Sequence, residues 1–196
     1  LKNKVGATIN NTGVLNNNDE FNVEGLLNNS GQLTNSASGD LNVASSGQIN
    51  NSGRFISDNR LTNAGRITNN TGALFNNTGE FYNNNTFANA GEFNNLGMEN
   101  TGVITNTGEF KNHWLLYNKN SVSNEGKLTN ASTASLSNTS KISNKSSGNF
   151  TNFGMVNNQA TIDNAGVLSN QGTLKNNGII TNSGQFITID GHIVSG

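Results

Sequence analysis

A bulky apolar residue stands at every sixth position along most of the chain: Leu15, Phe21, Leu27 and Leu33, then Ile49, Phe55, Leu61 and Ile67, then Phe75, Phe81, Phe87 and Phe93. The series resumes as Ile104, Phe110, Leu116, Val122 and Leu128, and closes as Phe150, Val156, Ile162, Leu168, Leu174, Ile180 and Phe186. Gly commonly lies two residues before each of these and Asn two after, as in Gly65-Arg66-Ile67-Thr68-Asn69, so the unit reads Gly-x-apolar-x-Asn-x. A surface helix needs apolar residues at three- and four-residue steps, and no such stripe is present, which excludes helix. In a strand, alternation turns Gly, the apolar residue and Asn to one side and the x residues to the other.

One hexad cannot bury its single Leu or Phe. Similar hexads stacked in parallel can, because each apolar side chain then lies over its counterpart at about 4.8 Å. The pattern predicts an all-β, single-stranded parallel β-helix (β-solenoid) forming one domain over 1–196, with about three hexads per rung and about ten rungs, roughly 48 Å long. Three hexads are favoured over a two-sided coil because three large groups meet at the centre and fill it. Phe81, Phe87 and Phe93 then share a rung, a bulk that suits a wider, right-handed coil. Gly and Asn fit the bends through their tolerance of positive φ, and stacked Asn side chains can pair along the axis as amide ladders. Eight-residue steps from Leu33 to Leu41, Leu41 to Ile49, Ile67 to Phe75, Leu128 to Leu136 and Ile142 to Phe150 mark two-residue insertions at corners. The stretch from Leu96 to Asn100 is one residue short, and Met98 takes the core place there.

Composition sharpens this picture. With 32% apolar and 12% charged residues the chain has the content of a disordered segment, but its periodicity and its net charge of −1 argue against an expanded coil. Asn supplies about a fifth of the residues and Gly 23 of the 196, a bias that marks a repeat. No proline interrupts a hydrogen-bonded ladder, and without cysteine there is neither a disulfide framework nor a thiolate site. Scattered cations argue against nucleic acid, and neither a leader nor an apolar run of membrane-spanning length is visible. The start at Leu1 suggests a piece trimmed from a longer precursor.

Segments such as Asn50-Asn51-Ser52-Gly53-Arg54-Phe55 and Leu61-Thr62-Asn63-Ala64-Gly65-Arg66-Ile67 resemble the Asn- and Gly-rich repeats of secreted bacterial adhesins of the filamentous-haemagglutinin type and of autotransporter passengers. The resemblance covers nearly the whole chain. It implies a right-handed β-helix, export to the cell surface, and a role in adhesion or fibre formation. The chain departs from that family in its strict hexad and in having no recognisable N-terminal secretion domain.

Candidate chemistry is sparse. Glu80, Glu92 and Glu109 each precede a core Phe in Gly-Glu-Phe triplets and face outward, with Glu92 and Glu109 in adjacent rungs like a glycosidase pair. Surface charge is the simpler reading, and no calcium-loop pattern accompanies these carboxylates. His113 and His192 lie too far apart to share a metal, so no metal or cofactor is expected. His113-Trp114-Leu115-Leu116-Tyr117 puts Trp114 where Gly is usual, making Trp114 and Tyr117 candidates for contact with a sugar or a neighbouring chain, unless the corner bulges and packs on itself. Thr34, Thr62, Thr68, Thr105, Thr129, Thr151 and Thr181 raise an ice-binding reading, but hexad counting spreads them over three faces. Asn-x-Ser/Thr triplets such as Asn10-Asn11-Thr12 follow from the repeat itself.

Open stacks leave strand edges at both ends. The apolar residues Leu1 and Val5 at one end, and Ile187, Ile189 and Ile193 at the other, suggest that 187–196 either caps the stack or pairs with another copy. The expectation is a non-enzymatic structural subunit of an extracellular bacterial filament, secreted or on the cell surface, whose partner is itself in head-to-tail array. A repeat segment of a secreted surface adhesin that binds a glycan or a host surface is the alternative.

Overall fold

The structure, a computed structural model, describes residues 1–189 and 191–195; Asp190 and Gly196 of the 187–196 segment lie outside the described residues. All regular structure is β-strand, mostly four residues long, and the pairing is parallel. Three faces result. The first begins with Lys2–Asn3 and Glu20–Val23 and ends with His192–Ser195; the second runs from Thr8–Asn11 to Ile179–Asn182; the third runs from Val14–Asn17 to Gln185–Thr188. Three long strands, Leu74–Asn83, Glu92–Asn100 and Glu109–Asn118, pass from the third face to the first without a break. They join those faces into an 18-stranded sheet, beside the 10-stranded sheet of the second. The coil makes about eleven turns, where the hexad count gave ten, because Lys2–Asn3 and His192–Ser195 each add a strand to the first face.

The six-residue series forms the dry column. From Phe21 to Leu174 its members are buried, including Met98 in the short rung, while Ile9, Leu15, Ile180 and Phe186 near the ends are partly covered. Burial of each such side chain contributes about 1.5–3 kcal/mol. Phe81, Phe87 and Phe93 do meet at the centre, edge to face, with centroids 5.4, 4.7 and 6.1 Å apart, and Phe75 and Phe110 extend the cluster along the axis.

Rungs differ in length because corners differ. Phe87 pairs with Ile104, seventeen residues on, whereas Leu33 pairs with Phe55, twenty-two on. All five eight-residue steps of the sequence are four-residue corners. Each is closed as a turn by one backbone bond from its fourth N–H to its first carbonyl, at 2.8–3.0 Å, as from Gly39 to Ser36 and from Gly148 to Lys145. A sixth such corner, Lys4 to Ala7, precedes the first recognisable hexad. Hydroxyls of Ser38, Ser46 and Ser147 in these turns cap carbonyls of the preceding rung at 2.8–2.9 Å.

The glycines do not act as expected. Positive φ occurs at Gly6 (78°) and Gly72 (79°), both in four-residue corners. Most of the others are required by close approach: a Cβ on Gly53 would lie under 3.0 Å from the carbonyl oxygens of Gly31 and Ser30, and one on Gly65 would meet those of Gly47 and Ala44. The corner backbone of each rung rests on that of the rung before, leaving no room for a side chain.

Asparagines end the strands with their side chains turned inward. On the second face the ten from Asn11 through Asn29, Asn51, Asn69, Asn89, Asn106, Asn124, Asn144 and Asn164 to Asn182 form one unbroken ladder. Each Nδ2 donates to the Oδ1 of the next rung at 2.7–2.8 Å. Nδ2 also reaches backbone carbonyls, as from Asn29 to Arg54 at 3.0 Å, so the amide joins two rungs twice. The first-face ladder runs from Asn63 to Asn176, with Val23 and Val43 in its earlier places. The third pairs Asn17 with Asn35, meets Ser57, and resumes from Asn77 to Asn170.

Candidate functional site

Outward positions are the x residues of each hexad, so any surface chemistry is set by which x residues the register stacks. Glu92 and Glu109 do pair in adjacent rungs of the third face. Between them stands Lys111, whose Nζ lies 3.0 Å from Glu92 Oε1 and 3.2 Å from Glu109 Oε2. The bond from Lys111, with a second from Asn94, holds the Glu92 carboxyl below its ordinary range, and the bond to Glu92 raises the Lys111 ammonium above its own. A general acid needs the opposite shift. The arrangement is that of an ion triad on an open sheet.

Glu80 faces outward on the first face instead, where its Oε2 accepts the Tyr82 hydroxyl at 2.9 Å. That bond, with some desolvation, raises the Tyr82 phenol above its usual pKa. Arg60 of the preceding rung lies 5.7 Å from the Tyr82 ring centroid, within cation–π range.

Trp114 and Tyr117 are both exposed, 60% and 45%, and they occupy different places. Trp114 lies in the corner between the third and first faces, and Tyr117 on the first face, with Leu116 buried between them. The corner does bulge, since two residues, His113 and Trp114, stand opposite the single Leu96 of the rung before. It does not fold Trp114 onto the protein. His113 and His192 belong to separate rungs, the latter in the final strand.

The threonines divide among the faces as counted: Thr34, Thr129 and Thr151 on the third, Thr68, Thr105 and Thr181 on the second, Thr62 on the first. Thr129 and Thr151 are adjacent, but Ala88 separates Thr68 from Thr105, so the threonines form no unbroken column among the described residues.

The terminal residues separate into two kinds. Ile193 pairs with Leu174 at a core position, and Leu1, one residue before the Lys2–Asn22 pair, heads the same column; they are exposed because no rung covers them. Val5 sits in a corner, Ile187 occupies an outward position opposite Ser169, and Ile189 follows the last strand of the third face, so these three point to the flank.

One feature escapes a reading of hexads alone. In the short rung Gly97 takes an outward position, between Glu80 before it and Leu115 after it. The missing side chain leaves a notch of about 180 Å³ floored by Phe81 and Met98 and walled by Tyr82, Glu99 and Tyr117. Phe153 and Met155, also exposed, continue the same edge two rungs later. The one-residue shortening at Leu96 was the sequence signal for this place.

Comparison of the chain with protein-family models, with curated proteins and with solved structures gives no match.

Proposed function

We propose that the chain is a non-enzymatic structural subunit of an extracellular bacterial filament, built by head-to-tail stacking of solenoid ends. The observation that carries this reading is the sense of the amide ladders. Every Asn-to-Asn bond in the three buried ladders donates Nδ2 toward the following rung, so acceptor oxygens collect at one end and donors at the other. Among the described residues Asn182 Nδ2 bonds only its own corner carbonyl, that of Gly184, and Asn3 Oδ1 is buried without a partner. Donors can meet acceptors in head-to-tail order alone, a contact that repeats without closing. Leu1 and Ile193 extend the dry column to both edges, and strand pairing across such edges is a known mode of association. The external setting is suggested by the resemblance of the repeats to secreted adhesins.

Electron microscopy and sedimentation of the purified chain at rising concentration test the reading. Filaments with an axial repeat of about 53 Å, eleven rungs at strand spacing, are expected. Asn182→Asp sets an acceptor and a charge where a donor stood, and shortens or abolishes them. A chain that stays monomeric at every concentration contradicts the proposal.

A second reading, a surface adhesin segment that binds a glycan, draws on the notch at Gly97 and the exposed Trp114 and Tyr117 beside it.

A further inference from the structure

On the first face the outward rows read Glu80, Gly97, Leu115 and Tyr82, Glu99, Tyr117 over three successive rungs. Tyr82 and Tyr117 are thus two rungs apart, about 9.6 Å at the strand spacing. Along the neighbouring corner Trp114 and Phe153 are also two rungs apart, exposed 60% and 42%. Two aromatic pairs with the same axial interval therefore follow one edge of the prism, Tyr82 and Tyr117 on either side of the notch and Trp114 and Phe153 continuing beyond it toward the C-terminus.

That interval is close to the length of two β-linked pyranose units. In an extended β-linked chain successive rings turn over, so the same C–H face recurs at every second ring. Aromatic side chains two rungs apart can each cover that face, since an aromatic ring offers a flat apolar surface with a polar rim. Acceptors for sugar hydroxyls stand between them. Glu99 is held by Lys119 through Oε1 at 2.9 Å, and Glu80 by the Tyr82 hydroxyl through Oε2; each keeps a second oxygen with no hydrogen bond among the described residues. Two carboxylates at the notch disfavour a polyanion.

We infer that this edge, from Tyr82 to Phe153, is a binding track for a neutral, extended β-linked polysaccharide lying parallel to the solenoid axis and anchored over Gly97. The inference takes its ligand class from the second reading above. It stands apart from end-to-end stacking, because the track lies on the flank.

The test uses the whole chain at a concentration where it is monomeric, with cellohexaose as probe and maltohexaose, whose α-linked chain curves, as the geometric control. Titration followed by calorimetry and by amide shifts is expected to show cellohexaose binding, with shifts confined to residues 80–117 and 153–155. Maltohexaose binds at least about tenfold more weakly, and Trp114→Ala and Tyr117→Ala each weaken cellohexaose by about tenfold. Both residues are exposed, so an unchanged melting curve confirms that the variants fold. The inference is overturned by absence of cellohexaose binding, by equal binding of maltohexaose, or by folded variants that bind as the parent does. Dimerisation through this edge in place of sugar binding, read by sedimentation, also overturns it. Loss of filaments with sugar binding intact sinks the stacking proposal alone.

Discussion

The second face and the third face carry the same amide ladder, but one is whole and the other is cut. From Asn11 to Asn182 each amide of the second face finds its counterpart in the next rung. On the third face Ser57 takes an Asn position, and its hydroxyl turns to the Asn59 carbonyl instead. Asn77 Oδ1 beyond it is consequently buried without a partner. The first face has a gap as well, with Val23 and Val43 standing between Asn3 and Asn63, yet Asn63 Oδ1 accepts the Gly65 N–H at 3.2 Å and is not orphaned. The two valines lie over each other in adjacent rungs. The cost of a gap thus depends on whether the first amide beyond it finds another donor, because the penalty arises where a buried polar group is left without a partner.

The largest effect comes from breaking the whole ladder in the middle. Asn89→Ala removes the acceptor of Asn69 and the donor to Asn106, with each orphaned group costing about 1–3 kcal/mol. Urea unfolding is expected to register a loss of about 2–4 kcal/mol. Asn35→Ala, beside the existing cut, severs one ladder bond, to Asn17, and costs less. Equal losses at the two sites would show that ladder continuity contributes nothing beyond local bonds.

Repairing the cut is the next test. Ser57→Asn places an amide between Asn35 and Asn77, gives Asn77 Oδ1 its donor, and raises stability by about 1 kcal/mol in the same assay. A destabilised variant would mean that the corner at Asp58 to Arg60 cannot accept the longer side chain.

The smallest effect concerns charge, which lies outside the ladders. Glu92 has a depressed pKa in the fold, so its contribution is present above the ordinary value of 4.5 and is lost as pH falls through the lower folded value. Lys111 has a raised pKa, so its contribution is complete below 10.5 and is lost as pH rises through the higher folded value. Lys111→Gln flattens both limbs of the stability profile slightly, because these side chains are substantially exposed. Unchanged limbs in thermal melts across pH would mean that the triad carries no energetic weight.

Much of this architecture was legible because a six-residue spacing carries its own register. The core series, the five long corners, Met98 in the short rung and the trio of Phe81, Phe87 and Phe93 all follow from counting. Other features depend on the rung lengths, which vary from seventeen to twenty-two residues. Lys111 came to stand between Glu92 and Glu109 because one seventeen-residue rung aligned them. The reason for the glycines was hidden as well, since it lies in the carbonyl of the preceding rung and not in the local dihedral angle. The outward position of Gly97 depends likewise on the register that sets it between Glu80 and Leu115.

The ladders themselves can be read directly in solution by through-hydrogen-bond couplings and side-chain amide exchange in isotope-labelled protein. The account predicts slow exchange at the Nδ2 groups of Asn51, Asn69, Asn89, Asn106 and Asn124, each coupled to the carboxamide carbon of the next asparagine toward the C-terminus. The outward Asn28 and Asn50, whose amide bonds run in the opposite sense, exchange quickly. Fast exchange at the inner amides, or couplings that run toward the N-terminus, would contradict it.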